Sequence, residues 1–350
     1  MIELKNDQLC IRFSDIHPEA RLTIEFQRTL RIPDDGSEYP LPPGLGRFPV
    51  RHVDDYAANL DPQWLRRGGV IFPMYQSEAM WLNFNSRHVK DHCVPYPFAI
   101  KIATGKINAV SGGEWSGGLN CDPQNYVVSP DQPWLDGYSV KKGLIRQFVA
   151  MPLGSGHSAE EQVTGKAEHG GLQIEVIPMK REVFDRRFPK VKREVFDRRF
   201  RKGKHGMIPA VSYSPIGAAV PTMALAPGGK MQQKIYSDPY DLDDWDLDHS
   251  SRCFVHITNT MIWKAITGSA PLLPPPTAKE YASADLPWFA YYSDAPAVDG
   301  SKTLAGINSV REFDEVNGGA MLPENESVHP KEIVTLRKGL RENEVRDGVF

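Results

Sequence analysis

The sequence predicts an α+β protein that is rich in mostly antiparallel strands, with a few short helices and long loops. Strands are indicated where apolar side chains alternate with polar ones, as at Leu22, Ile24 and Phe26. Long loops are indicated by 29 prolines and 29 glycines, which interrupt regular structure. A chain of 350 residues, 41% of them hydrophobic, is long enough to bury one or two cores.

The first predicted helix covers residues 54–67, where Tyr56, Leu60 and Trp64 fall on one face and Pro62 bends or divides it. A hairpin is expected around Thr104 and the following glycine, because apolar residues flank this pair on both sides.

Later strands are predicted at residues 144–151, 172–177 and 252–257 from their apolar patterns. A short helix is expected at 261–267, ended by Gly268.

Near the end of the chain, the dense aromatic segment 288–292 indicates a core or an interface. A last helix is predicted from Pro330, with Ile333, Leu336 and Leu340 on one stripe.

The most distinctive feature of the sequence is a direct tandem repeat. Residues 180–191, the first copy, are followed at once by residues 192–203, the second copy, and ten of the twelve positions are identical. Insertions of this length are tolerated mainly at the surface, so the repeat predicts an exposed basic arm over residues 180–205. The predicted interaction residues of the arm are Arg186, Arg187, Lys192, Arg193, Arg198 and Arg199.

Opposite charges are concentrated in two places. Residues 180–204 hold twelve Lys and Arg against four Asp and Glu, whereas the whole chain has a net charge of -3. Residues 238–248 form an acidic loop, and its predicted interaction residues are Asp241, Asp243, Asp244, Asp246 and Asp248. The basic arm and the acidic loop are expected to pair, within a chain or between copies.

The predicted organisation has four parts. A β-rich domain covers residues 1–179, the basic arm covers 180–205, an α+β region packed on the first domain covers 206–313, and a helical tail covers 314–350.

A cytoplasmic protein is expected, because no apolar stretch reaches the roughly 20 residues that a membrane span needs and the N-terminus lacks a secretory pattern. The four cysteines have no Cys-x-x-Cys spacing, which argues against a zinc ribbon or a disulfide framework.

Two glycine-rich strings resemble catalytic motifs. Residues 154–159 match Gly-x-Gly-x-x-Ala, but Gly165 ends the following helix too early for a dinucleotide site, so a capped turn with Ser158 and Glu161 is favoured. Residues 169–171 resemble an oxyanion loop, yet no Gly-x-Ser-x-Gly nucleophile turn exists. No catalytic residue is therefore predicted.

Three alternatives stay open at this point. An enzyme with a dispersed active site would use the glycine-rich turns of residues 154–171, with Glu160, Glu161, His157 and His169. The acidic loop offers oxygen ligands for calcium, although Asp246 and Arg252 depart from the EF-hand pattern. Nucleic acid is a further possible partner of the basic arm.

Several strings within residues 39–288 resemble those of a widespread family of microbial proteins with no known activity, among them the segments 41–50, 73–79, 146–156 and 168–174. The resemblance implies that residues 39–313 form one unit, and it implies no catalytic residue.

Together these observations predict a non-enzymatic structural or binding protein that self-associates into a homo-oligomer. Opposite charge poles on one chain favour association between copies. No metal site and no cofactor is predicted, and the expected partners are the chain itself, another protein at the basic arm and, less favoured, nucleic acid.

Overall fold

The computed structural model describes residues 1–191, 222–319 and 323–337. In chain order the strands are β1 (Ile2–Lys5), β2 (Gln8–Arg12), β3 (Arg21–Thr29), β4 (Glu38–Tyr39), β5 (Gly44–Arg47), β6 (Arg51–His52), β7 (Val70–Met74), β8 (Ala79–Ser86), β9 (His88–Val89), β10 (Val94–Pro95), β11 (Phe98–Thr104), β12 (Ile107–Asn108), β13 (Val127–Ser129), β14 (Trp134–Leu135), β15 (Gly137–Lys141), β16 (Leu144–Pro152), β17 (Leu172–Pro178), β18 (Thr222–Gln232), β19 (Ser251–Asn259), β20 (Trp288–Tyr292) and β21 (Ile333–Arg337).

Helices in the described ranges are short. They are α1 (Pro62–Arg67), α2 (Ala159–Thr164), α3 (Arg181–Arg187), α4 (Thr260–Thr267), α5 (Ala278–Ser283), α6 (Lys302–Gly306) and α7 (Val310–Val316), with 3-10 segments at Asp54–Asn59, Leu242–Asp244 and Pro323–Asn325. Among these residues, no helix has the length and apolar character to cross a membrane.

Seventeen of the described strands join one sheet, and the pairs β9–β10 and β20–β21 stand apart from it. Most neighbours are antiparallel, whereas β4 with β18 and β7 with β19 are parallel. The prediction of a strand-rich, mainly antiparallel protein with few helices is confirmed; the α+β label itself stays a prediction.

The alternating pattern of β3 places Leu22, Ile24 and Phe26 in the core, each with no exposed surface. Strand β11 differs, because all seven of its residues are buried, including the charged Lys101. The Lys101 ammonium donates to the carbonyl oxygens of Ser116 and Gly118, so its polar head is satisfied inside the protein.

Several local predictions are confirmed. The segment 54–67 is divided into a 3-10 segment and α1, with Pro62 at the start of α1. The hairpin pairs Thr104 with Ile107, and α4 ends at Gly268 in a left-handed conformation.

The helix predicted from Pro330 is wrong over the residues that the structure describes there. Ile333 and Leu336 belong to the strand β21, which pairs in parallel with β20, and Leu340 lies outside the described residues. β-Branched residues at the start of this segment favour a strand, and the backbone of β20 supplies a pairing partner that a sequence pattern does not reveal.

Strands on both sides of the tandem repeat share the main sheet. β16 pairs with β18 over eight registered positions, and β17 pairs with β19. The repeat therefore interrupts the sequence of one continuous sheet between β17 and β18.

Candidate functional site

The first copy of the repeat packs against the body of the protein. It forms α3, whose Val183 is 8% exposed and whose Phe184 is fully buried. The charged residues Arg181, Glu182, Asp185, Arg186 and Arg187 of this copy are exposed, so two apolar side chains anchor the helix while its charged face stays at the surface. This anchor is not evident in the sequence, because charged residues surround Val183 and Phe184. These two side chains nevertheless bury enough apolar surface to anchor a helix.

Phe184 lies in a pocket of aromatic rings. Its ring stacks on Tyr96 with centroids 4.4 Å apart, and it contacts His92 at 4.8 Å and His17 at 5.8 Å. Phe188 follows one turn later, with its ring centroid 5.4 Å from that of Phe184. Together His17, His92 and Tyr96 define the apolar half of a site that we name the arm groove.

The polar half of the arm groove is the acidic loop. The guanidinium of Arg187 donates to the Asp244 carboxylate at 2.7 Å and to Asp241 at 3.4 Å. The same guanidinium lies over the ring of Tyr240, 5.4 Å from its centroid. Arg186 is farther away, 3.9 Å from Asp244. Two carboxylates and one aromatic ring therefore contact the same cation, the guanidinium of Arg187.

The position of Asp244 follows from local structure. A 3-10 turn begins after Asp241, and Asp241 and Asp244 bond to each other's backbone in a capping box. The carbonyl oxygen of Asp244 accepts the backbone N–H of Lys180, and Met179 forms a β-bridge with Trp245. The acidic loop is thus tied to the chain directly before α3.

Two histidines lie beneath α3. His92 Nδ1 contacts the carbonyl oxygen of Phe188, and its Nε2 is 3.6 Å from the Asp185 carboxylate. Burial lowers the pKa of His17, and the nearby Arg181 charge lowers it further. A lowered histidine pKa favours the neutral ring in the fold, so its contribution to stability is present above the unfolded pKa and is lost as the pH falls below it.

The other predicted site residues are spread more widely. Asp246 pairs with His249 at 3.0 Å, and Asp243 and Asp248 are exposed. Lys192, Arg193, Arg198 and Arg199 lie outside the described residues.

The second copy contains the same residues that contact the groove in the first copy. Residues 193–200 are identical to residues 181–188. The residues equivalent to the docked Val183, Phe184, Asp185, Arg187 and Phe188 are Val195, Phe196, Asp197, Arg199 and Phe200. One chain therefore carries two copies of the segment that fills one groove.

The glycine-rich turns form a separate region. The capping box predicted for Ser158 and Glu161 is confirmed. The Glu161 Oε1 atom also accepts the backbone N–H groups of Gly154 and Gly156, so this carboxylate closes the turn on itself. The backbone N–H groups of Gly154 and Gly156 are thus already bonded by the chain's own side chain.

Glu160 has a comparable role. Its carboxylate accepts the backbone N–H groups of Glu168, His169 and Gly170, and only 2% of the residue is exposed. These three bonds satisfy a buried charge and fix the turn that precedes β17.

The four side chains of the enzyme alternative are divided between two places. Glu160 and His169 line a polar cleft of about 440 Å³, together with Glu114 and Trp115. Burial lowers the pKa of His169. His157 lies elsewhere, bonded to Ser155 at 2.9 Å and to Asp314 at 2.8 Å, where it ties α7 to the glycine-rich turn.

Within the described ranges, no group of three or more His, Cys, Asp and Glu residues is placed to hold a metal ion. No family model, curated protein or solved structure matches this chain. A function must therefore be argued from the geometry of the molecule.

Sequence reasoning missed the aromatic residues of the arm groove. Phe184 carried one usable signal, because an apolar pair inside a charged helical turn indicates one buried face. His17, Tyr96 and Tyr240 carried none, because they are brought together only by the fold.

Proposed function

We propose that this chain is a cytoplasmic, non-enzymatic binding protein that recognises its own repeat, and that the second copy mediates association between chains. One observation carries the proposal. The side chains with which the first copy fills the arm groove all recur in the second copy, so a second ligand exists for the same kind of groove.

The contacts favour recognition of this segment over binding of basic peptides in general. Phe184 is an apolar anchor in a fully desolvated pocket, and Arg187 is a charged contact at the rim. An aromatic anchor that is surrounded by complementary charge is the usual arrangement of a specific interface.

Association through the repeat is expected to be weak. When a second copy enters the groove of another chain, it replaces the first copy and forms the same contacts, as in domain swapping. The first copy is attached directly to β17, so it competes at an effective concentration in the range of about mM or higher. The proposed assembly should therefore form at high protein concentration and at low salt, where charge attraction is least screened.

A single-copy variant gives a matched control. Deleting residues 180–191 joins Met179 to the second copy, which restores the same nine residues after β17 and leaves no surplus ligand. Static light scattering over a concentration and salt series should give the wild type a mass that rises above 39.2 kDa with concentration, while the variant stays a monomer.

The proposal fails if the two proteins show the same oligomeric state at every concentration and salt. A folded, monomeric wild type would mean that the second copy does not serve other chains. Circular dichroism of both proteins separates this outcome from misfolding of the variant.

The other predicted functions have less support. Nucleic-acid binding loses one of its cationic contacts, because Arg187 is held by the acidic loop, whereas the Arg186 side chain is largely exposed. The enzyme alternative loses the convergence of its four side chains, since only Glu160 and His169 line the polar cleft.

A further inference from the structure

A second site lies where the main sheet meets the small sheet of β20 and β21. Here β14, the end of β18 and β20 enclose a cleft of about 250 Å³. Three aromatic side chains line it: Trp134, Tyr236 and Tyr291. We name it the aromatic cleft, and it is separate from the arm groove.

The aromatic walls are fixed in place. Trp134 and Tyr291 pack edge to face, with ring centroids 4.7 Å apart and planes at 81°. Gln132 holds the backbone on both sides, because its Oε1 accepts the N–H of Tyr236 at 2.9 Å and its Nε2 donates to the Trp134 carbonyl oxygen at 2.9 Å. A preorganised wall lowers the entropy lost on binding a ligand.

Three glutamine amides line the cleft; Gln232 is exposed, whereas Gln132 and Gln233 are bonded within the protein. Gln132 Nε2 also donates to the Lys234 carbonyl oxygen, at 3.3 Å. Gln233 Oε1 accepts the N–H of Asp136, and Gln233 Nε2 donates to the Asp136 carboxyl at 2.7 Å. These last two amides are therefore not available to a ligand.

Two charged side chains line the cleft, those of Glu38 and Lys234. Glu38 is exposed at the rim, on β4 beside the end of β18. The other charged lining residue, Lys234, donates from its ammonium to the Ser293 carbonyl oxygen at 3.0 Å. The Asp131 charge acts on Tyr291, whose pKa is raised by burial and by this neighbour. One carboxylate and one ammonium therefore line the cleft, and the ammonium is already engaged by a carbonyl oxygen.

We infer that the aromatic cleft binds a small organic cation that carries a quaternary or fully alkylated ammonium group. Such a group has no N–H donor, is weakly hydrated and is attracted to the faces of aromatic rings. Trp134, Tyr236 and Tyr291 supply the rings, and Glu38 supplies the opposite charge. The inference does not depend on the repeat or on self-association.

A comparison of two nearly isosteric ligands tests the charge. Choline and 3,3-dimethylbutan-1-ol have the same shape, but only choline is a cation. Titration calorimetry of the full chain should show choline binding at least about 10-fold more tightly than the neutral alcohol. Equal affinity of the two, or no binding of either at tens of millimolar, would overturn the inference.

Substitutions in the cleft locate the binding. Tyr291→Phe keeps an aromatic ring and should bind choline as the wild type does, whereas Tyr291→Leu keeps apolar bulk without a ring and should weaken binding about 5-fold or more. Tyr56→Leu, on the 3-10 segment outside the cleft, is the matched control.

A second variant keeps the inference testable if Tyr291→Leu does not fold. Glu38 is exposed, so Glu38→Gln should fold normally and weaken choline binding by about 2- to 5-fold, with a smaller loss at high salt. Unchanged affinity in every folded cleft variant would place choline elsewhere and contradict the inference.

Discussion

The arm groove and the aromatic cleft use similar chemistry in opposite ways. In the arm groove, the ring of Tyr240 and the carboxylates of Asp241 and Asp244 hold the chain's own cation, Arg187. In the aromatic cleft, three rings and the carboxylate of Glu38 line a space that opens to solvent.

The two sites differ in how they affect the stability of the fold. A cation that is part of the chain loses no translational freedom on docking, so groove contacts add to the stability of the fold. A site kept for a ligand more often reduces stability, because its polar groups are arranged for a partner. Substitutions should therefore have opposite signs in the two regions.

The largest effect is expected in the arm groove, when both repeat copies lose their aromatic anchor. The double variant Phe184→Ala, Phe196→Ala should lower the free energy of unfolding by about 3–5 kcal/mol, the range for a buried phenylalanine. Phe196→Ala alone should change it little, because the first copy still fills the groove.

Phe184→Ala alone should have an intermediate effect. The second copy can replace the first if residues 180–191 form a closed loop, and closing twelve residues costs about 2 kcal/mol. Urea unfolding of the three variants measures the pattern. If Phe184→Ala already shows the full loss and Phe196→Ala adds nothing to it, the two copies are not interchangeable.

A substitution that raises the free energy of unfolding is expected at Asp136, which is bonded to Gln233 of the aromatic cleft. Burial raises the pKa of Asp136 to about 7, so the folded protein favours the protonated carboxyl. Its contribution to stability is full below the unfolded pKa of about 4 and is lost as the pH rises through the folded value of about 7.

The variant Asp136→Asn has no carboxyl group to ionise at this position, so it does not lose this stability as the pH rises. Between pH 4 and pH 8 it should gain stability relative to the wild type, by up to about 4 kcal/mol, the equivalent of three pKa units. Thermal unfolding across this pH range provides the comparison. Parallel pH profiles for the two proteins would show that Asp136 is not held in its neutral form.

The smallest effect distinguishes two carboxylates that contact one guanidinium. The Asp244 side chain is 8% exposed and that of Asp241 is 85% exposed, although both contact Arg187. Asp244→Asn should lower the free energy of unfolding by about 1–2 kcal/mol, and Asp241→Asn by less than about 0.5 kcal/mol. Asparagine preserves the capping turn in both, so a loss of equal size would show that burial does not set the strength of this contact.

The local parts of the fold were predictable because their causes are local. The alternation at Leu22, Ile24 and Phe26 predicts β3, and Ser158 with Glu161 predicts the capped start of α2. The strand β21 was not predictable in this way, because its pairing with β20 joins segments that are about 45 residues apart in sequence.

The candidate sites depend on contacts between distant residues. Phe184 meets His17 and Tyr96, and the aromatic cleft combines Glu38, Trp134 and Tyr291. The sequence predicted the charge complementarity of the basic arm and the acidic loop, but it could not show which aromatic rings accompany it.

Binding of the second copy to the arm groove as a separate ligand can be measured directly. The receptor is the chain with Phe184→Ala and Phe196→Ala, in which both internal ligands are weakened, and the probe is a fluorescent peptide of residues 192–203. Fluorescence anisotropy should show saturable binding that a Phe196→Ala peptide lacks, with a rise in the receptor's unfolding temperature. If the receptor is folded and both peptides bind equally or not at all, the groove does not recognise the repeat.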